Sequence, residues 1–116
     1  MAEKDCLFCK IIRGEIQSPI VRQDDLVVAF RDIQPQAPHH LLVCPRKHIA
    51  TLNDLTSEDE AAMGRAVAMA ASLAAEAGVA REGYRLVINC ERGAGQSIFH
   101  LHAHVLGGRP FGWPPG

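Results

Sequence analysis

The segment FHLHAHVLGG, residues 99–108, sets His100, His102 and His104 at alternate positions between Leu101, Ala103 and Val105. Strict two-residue alternation belongs to an extended strand, where successive side chains point to opposite faces. The three imidazoles then share one face at intervals of about 6.7 Å, and their apolar partners face a core. Such a chain needs a sheet with one covered face and a site on the other. A zinc ion, with ligands about 2.0–2.3 Å away, could draw on neighbouring imidazoles of such a strand. Chemistry would need one neutral imidazole as nucleophile or base, with neighbours fixing its tautomer. A solvated edge strand needs neither. Five of the six histidines, however, lie at or beside strand residues, and the sixth, His48, follows PRK just after one of them, a concentration that favours a site.

The rest of the chain supplies the sheet. Residues 20–23 and 26–30 flank Asp24-Asp25 and predict a hairpin, and residues 40–44 predict a buried strand closed by Pro45. Residues 32–40 carry two prolines and predict a loop. Asp5 is placed to cap a short helix over 6–13 that Gly14 ends. Ser57 with Glu60 makes a capping-box pattern, and Met63, Val67, Ala70, Ala71 and Ala74 keep helical spacing up to a stop at Gly78. The alanine-rich face of this long helix suits close packing on a flat sheet. Residues 84–90 and 99–106 complete about five strands that come mostly in pairs, which favours α+β with an antiparallel sheet over a doubly wound parallel one. No repeat or linker divides the 116 residues, so 1–116 reads as one domain. The tail RPFGWPPG, 109–116, holds the only tryptophan, and Trp113 is of most use if it docks on its own sheet or on a second subunit.

Composition narrows the ligands. A net charge of -1 offers no global positive field for nucleic acid or an anionic membrane, so a phosphate-bearing ligand must be held locally. No apolar run approaches the roughly 20 residues of a membrane span, and MAEKDCLFCK lacks a signal-peptide core, so a cytoplasmic location is expected. In that reducing compartment Cys6, Cys9, Cys44 and Cys90 read as thiols or metal ligands. Cys44 and Cys90 fall in apolar strand patterns and read as core residues. Cys6-Leu7-Phe8-Cys9 has the spacing for one zinc ion but is half a site, and two packed thiols remain the alternative. No strand precedes the pair, as a redox motif would want.

Upstream of the histidines, NCERGAGQS, residues 89–97, places Gly93 and Gly95 before Gln96 and Ser97. A glycine-rich turn with converging amides can cradle an anion, although a plain hairpin turn also uses glycine. Beside the histidine strand it suggests phosphoryl or nucleotidyl transfer. It is not a P-loop, because no Gly-Lys-Ser/Thr follows.

These residues resemble a known family. HLHAHVL is similar to the histidine triad pattern, His-x-His-x-His followed by apolar residues, and GAGQSIFH and HVLGGRPFGWPPG look like its Hint branch. The likeness continues through FCKIIRGEI (8–16), DDLVVAFRDIQPQAPHHLLVCPRKHI (24–49) and GYRLVIN (83–89), which together span essentially the whole chain.

The resemblance implies an α+β HIT-like fold with one long and one short helix, in which two five-stranded sheets join across a homodimer. It implies a purine nucleoside phosphoramidate hydrolase acting on adenosine 5'-phosphoramidate and aminoacyl-AMP-like compounds, with His102 attacking the α-phosphorus. His104, Gly95, Gln96 and Ser97 would steady the phosphate, Ser97 would meet the leaving nitrogen, and His40 would join the same polar network. Asp32 would hold the ribose hydroxyls, Phe30 and Ile33 would wall the base, and Asn89 would contact the phosphate or leaving-group side. Some relatives bind zinc through the cysteine pair and two histidines, matching Cys6, Cys9, His48 and His100. Others lack the cysteines, so the zinc is structural and the chemistry needs no cofactor. His39 stands where relatives often show threonine, and strand alternation turns it from the site to the surface. Two other readings remain at this level: a dinucleoside polyphosphate hydrolase, against which the PPG tail argues, and a zinc-containing interaction module that only binds nucleotide.

Overall fold

The structure, a computed structural model, describes residues 5–116. Residues 1–4, part of the stretch read above for targeting, lie outside it. A short helix α1 (Leu7–Ile12) leads into a hairpin, β1 (Ile20–Gln23) and β2 (Val27–Arg31), followed by β3 (His39–Pro45). The long helix α2 (Glu60–Glu76) then precedes β4 (Tyr84–Val87) and β5 (Ala103–Gly107). The strands form one antiparallel sheet in the order β1-β2-β3-β5-β4. β5 thus enters between β3 and β4, and His104 lies opposite Leu42 on one side and Val87 on the other.

Both faces of the central strands are covered, which explains why VVAF and LLVC are continuously apolar and not alternating. On one face Val27, Ala29, Leu41, Val43 and Val105 meet the stripe Ala66, Met69, Ala70, Leu73 and Ala74 of α2. Alanines at 66, 70 and 74 recur every fourth residue, so the helix backbone can approach the strands closely. The other face packs Val28, Phe30, Leu42 and Cys44 against Cys6, Phe8, Cys9 and Ile11 of the α1 region. Gly107 marks where the sheet meets the end of α2: a Cβ there would lie 2.9 Å from the Val79 side chain.

Several local readings shift. Cys6, not Asp5, caps α1, its sulfur accepting the Cys9 amide at 3.4 Å. The box before α2 is Thr56 with Asp59, one residue earlier than Ser57 with Glu60, because a 3-10 turn over Ser57–Asp59 precedes the helix. Asp59 also takes Lys47 at 2.8 Å, which ties the helix start to the end of β3. The buried stripe of α2 is rotated from the expected one: Val67 and Ala71 are exposed, while Ala66 and Leu73 are buried. In a helix apolar at most positions, periodicity alone does not choose the face. The hairpin turn forms as read, since the Asp24 carboxylate accepts the amides of Leu26 at 2.9 Å and Val27 at 3.0 Å. The Arg65 guanidinium, helped by those amides, holds the Asp24 carboxyl down to about 2.

Candidate active site and metal centre

His100, His102 and His104 keep the predicted alternation, with Leu101, Ala103 and Val105 buried between them. The ladder, however, starts only at Ala103, so His100 and His102 precede the strand. There the Leu101 amide bonds to the Ile49 carbonyl at 2.7 Å. The alternation survives because the approach stays extended.

The histidines differ in what their nitrogens meet. His102 Nδ1 lies 2.7 Å from the His100 carbonyl, which can only accept, so Nδ1 carries the proton and Nε2 keeps its lone pair. His40 Nδ1 accepts the Gln36 amide at 2.9 Å, so its proton sits on Nε2. That Nε2 lies 2.9 Å from His104 Nδ1 and 3.3 Å from an Asp32 carboxylate oxygen. His104 Nδ1 accepts, which leaves the His104 proton on Nε2. Burial pushes His40 and His102 below the ordinary imidazole value. Burial, then the closeness of the His102 and His40 rings, which resist a third positive charge beside them, pushes His104 down to about 4. At pH 7 all three are neutral, and two hydrogen bonds to main-chain groups set every tautomer.

His40, His102 and His104 open on a cavity of about 660 Å³. Phe30, Asp32, Ile33, Asn89, Gly95 and Ser97 line the same cavity, so the sequence-predicted nucleotide residues come together except for one. Ile33 is 84% exposed at its rim. The exception is Gln96, which is 4% exposed and spends its side chain inside the loop. Its oxygen takes the Glu91 amide at 2.8 Å, and its nitrogen donates to Ala50 at 2.8 Å and Ile98 at 3.2 Å. Gln96 therefore fastens the loop to the chain after β3 and does not aim at a phosphate. The glycine-rich turn is also less open than expected: the amides of Gly95 and Gln96 bond back to Arg92 and Glu91. Gly95, at φ +96, is the left-handed residue that closes the turn. Ser97 is exposed on the cavity wall.

Sequence reasoning missed Phe8. Its ring sits edge-on to Phe30 at 5.1 Å and to His102 at 5.0 Å, on the wall of the cavity that all three line. The only signal was its place between the two cysteines. Gln36 and Pro45 were missed because they act through main-chain atoms, which leave no trace in residue type. Cys90, expected in the core, is half-buried in the loop after β4. His39 turns away from the site as expected, but it is half-buried rather than at the surface, and its Nε2 is shielded without a hydrogen-bond partner among the described residues. The tail folds back along β4: Arg85 donates to the Gly112 carbonyl at 2.9 Å, and the guanidinium groups of Arg85 and Arg109 both lie over the Phe111 ring. Trp113 remains 84% exposed.

Beneath the cavity, Cys6, Cys9, His48 and His100 converge, their ligand atoms all within 4.8 Å of one another. Cys6 Sγ lies 3.4 Å from His100 Nδ1, and Cys9 Sγ lies 3.4 Å from His48 Nδ1 and 3.5 Å from His100 Nδ1. Tetrahedral zinc, with bonds of about 2.3 Å to sulfur and 2.0–2.1 Å to nitrogen, separates its sulfur and nitrogen ligands by about 3.6 Å. The donor set fits. His100 Nε2 donates to the Pro45 carbonyl at 2.7 Å, which leaves Nδ1 unprotonated on the side of the thiols, as a metal-ligating histidine requires.

The HIT domain pattern matches residues 13–111, and the chain belongs to that family. It is 54% identical over 112 residues to the purine nucleoside phosphoramidase of Escherichia coli (strain K12), spanning 97% of this chain and 93% of that protein. An uncharacterized HIT-like protein of Synechocystis is 51% identical over the full length of both. Among solved structures, a HIT family hydrolase from Legionella pneumophila superposes with a TM-score of 0.94 at 50% identity, covering 97% of this chain and all of that one. A histidine triad protein from Clostridium difficile gives 0.91 at 39% identity, covering 97% of each.

Proposed function

We propose that this chain hydrolyses the phosphorus–nitrogen bond of purine nucleoside phosphoramidates through a nucleotidylated His102. The observation that carries the reading is the 2.7 Å bond from His102 Nδ1 to the His100 carbonyl, which commits Nε2 to be the bare, neutral nitrogen beside the cavity. Relatives named as purine nucleoside phosphoramidases support the substrate class.

Asp32 takes the ribose hydroxyls, Phe30 and Ile33 flank the base, and Asn89 meets the phosphate side. His102 Nε2 attacks the α-phosphorus, forming a P–N bond to the ring as the bond to the amine breaks. The leaving nitrogen takes a proton from the Ser97 hydroxyl, which solvent replenishes. His104 Nε2–H donates to the phosphate oxygens as negative charge builds there. His40 holds that proton in place by occupying His104 Nδ1. Water then displaces His102 and releases the nucleoside monophosphate.

Cys6, Cys9, His48 and His100 would hold a structural zinc ion, which supplies rigidity where α1 meets the site. A homodimer joined through β4 fits the sheet order, which leaves that strand at an edge. The tail beside β4 is then placed near the dimer interface and the site. Among the described residues no helix is long and apolar enough to cross a membrane, and a cytoplasmic location accords with cysteines that form no disulfide among the described residues.

Substituting His102→Ala tests the reading. Turnover of adenosine 5'-phosphoramidate should fall on the order of 10³-fold or more, as losses of a nucleophile do, with AMP affinity retained. Mass spectrometry of quenched wild-type enzyme should find the nucleotidyl group on the peptide carrying His102. Turnover that survives the substitution, or an adduct on another residue, refutes it.

A further inference from the structure

Residue 100 serves two sites at once. Its imidazole belongs to the group formed with Cys6, Cys9 and His48, while its carbonyl takes the Nδ1–H of His102. Resting on the metal and nucleophile readings above, we propose that filling the cysteine–histidine centre positions the nucleophile. A cation held there fixes the residue-100 peptide, and through it the His102 ring, so the centre governs the rate of attack and is more than a staple for α1.

Three observations carry this. First, the segment holding the crucial carbonyl lies outside the sheet ladder, which begins at Ala103. Its anchors include the Leu101 amide on Ile49, the His100 Nε2–H on Pro45, the packing of the His100 ring on Phe8 and His48, and the approach of His100 Nδ1 to the two sulfurs. Bonds from a cation to Nδ1 and both thiolates replace that last, weak sulfur–nitrogen approach with a rigid one. Second, His100 is fully buried, so rotation of its ring has no room to relax sideways and is passed to its own main chain. Third, a second neighbour of the nucleophile has the same anchor. Phe8, between the two cysteines, packs edge-on against His102 at 5.0 Å and 79°. One centre thus holds the hydrogen-bond partner and one of the two ring partners of the attacking imidazole, the other being His104 at 5.0 Å.

The consequence differs from that of a staple. A centre that only fastened α1 would change nucleotide affinity, because Leu7, Phe8 and Ile11 line the cavity. A centre that positions His102 changes the rate of attack at constant affinity. Misplacing a reacting group by about 1 Å costs on the order of 10²-fold, so a smaller reorientation of the ring is expected to cost about 10-fold.

The test is to strip the reduced wild-type protein of metal with a chelator and add back Zn²⁺ in steps. Bound zinc, the His102 Nδ1–H resonance, the single-turnover rate of phosphoramidate cleavage and the AMP dissociation constant are followed together. At one equivalent per chain, solvent exchange of the His102 Nδ1–H should slow by about 5-fold or more and the single-turnover rate should rise about 10-fold, with AMP affinity within about 2-fold. Zinc that binds while exchange and rate stay constant overturns the proposal, and so does a change confined to AMP affinity or a failure to bind zinc at all. If the metal-free chain unfolds, His48→Ala keeps three ligands and weaker zinc. In that variant, shown folded by circular dichroism, the rate must still follow zinc concentration, and a rate indifferent to zinc overturns the proposal. The exchange readout needs no turnover, so failure of the phosphoramidase reading shows separately, as a missing His102 adduct.

Discussion

Two clusters of potential ligands lie on the same side of the sheet, and their hydrogen bonds give them opposite characters. Cys6, Cys9, His48 and His100 form one, and Asp32, His40 and His104 the other. By composition either could hold a cation. In the first, the Pro45 carbonyl consumes the Nε2–H of His100 and turns a lone pair toward two thiols. In the second, the Gln36 amide consumes the Nδ1 lone pair of His40, so a proton on Nε2 faces His104 and Asp32. A cation there would meet that proton where it needed a lone pair. The first cluster could hold a metal ion and the second is arranged for hydrogen bonds, and in each a single main-chain group sets the difference.

Metal removal should expose this contrast most strongly. Zinc at about 1,000-fold over its dissociation constant stabilises the folded chain by about 4 kcal/mol, or about 15 °C in Tm for a domain of this size. Differential scanning calorimetry with and without chelator measures it, and an unchanged Tm would show that the cysteine–histidine cluster holds no stabilising metal. Next in size, His40→Leu frees His104 Nδ1 to take the proton and leaves the Gln36 amide without its acceptor. We expect kcat to fall by about 10- to 100-fold while zinc content stays constant. A kcat close to wild type would mean that His104 keeps its tautomer unaided.

A smaller effect follows from acid. His104 is held from 6.5 down to about 4, with His40 shifted the same way, so the unfolded chain binds protons that the folded one refuses. Stability is therefore full above about pH 6.5 and falls as pH drops from there toward 4. For a partly exposed histidine we expect a loss of about 1–2 kcal/mol, read from urea midpoints at pH 7 and pH 4.5. Midpoints that hold constant would contradict the neutral network. The smallest effect is expected from Asp32→Asn. Zinc should remain at one equivalent in variant and wild type alike, and a second equivalent lost on substitution would show that both clusters take metal.

Much of this was legible in the sequence, and the failures share a cause. The alternation around Leu101, Ala103 and Val105 carried the sheet face correctly, and the resemblance placed Asp32, His40 and Asn89 around the histidines before any geometry was known. What residue types could not show was which polar side chains turn inward. Gln96 looked like a phosphate donor beside Ser97, yet its hydrogen bonds end on Glu91, Ala50 and Ile98. The strand start at Ala103, four residues later than expected, was set by a bond to Ile49, far off in the chain. The face of α2 was misassigned because Val67 looks more hydrophobic than Ala66, while the close approach to the sheet selects the smaller residue.

The strand order has a consequence for how the protein comes into being. β5 is the last strand in the chain but sits between β3 and β4, so the bond between His40 and His104 closes a separation of 64 residues. Contacts that distant form late, after the entropy of closing the loop has been met by other packing. On a ribosome, the hairpin and α2 emerge while the gap beside β3 still stands open. The triad histidines meet their partners only once β5 has emerged, so a product truncated before β5 would lack the bond between His40 and His104.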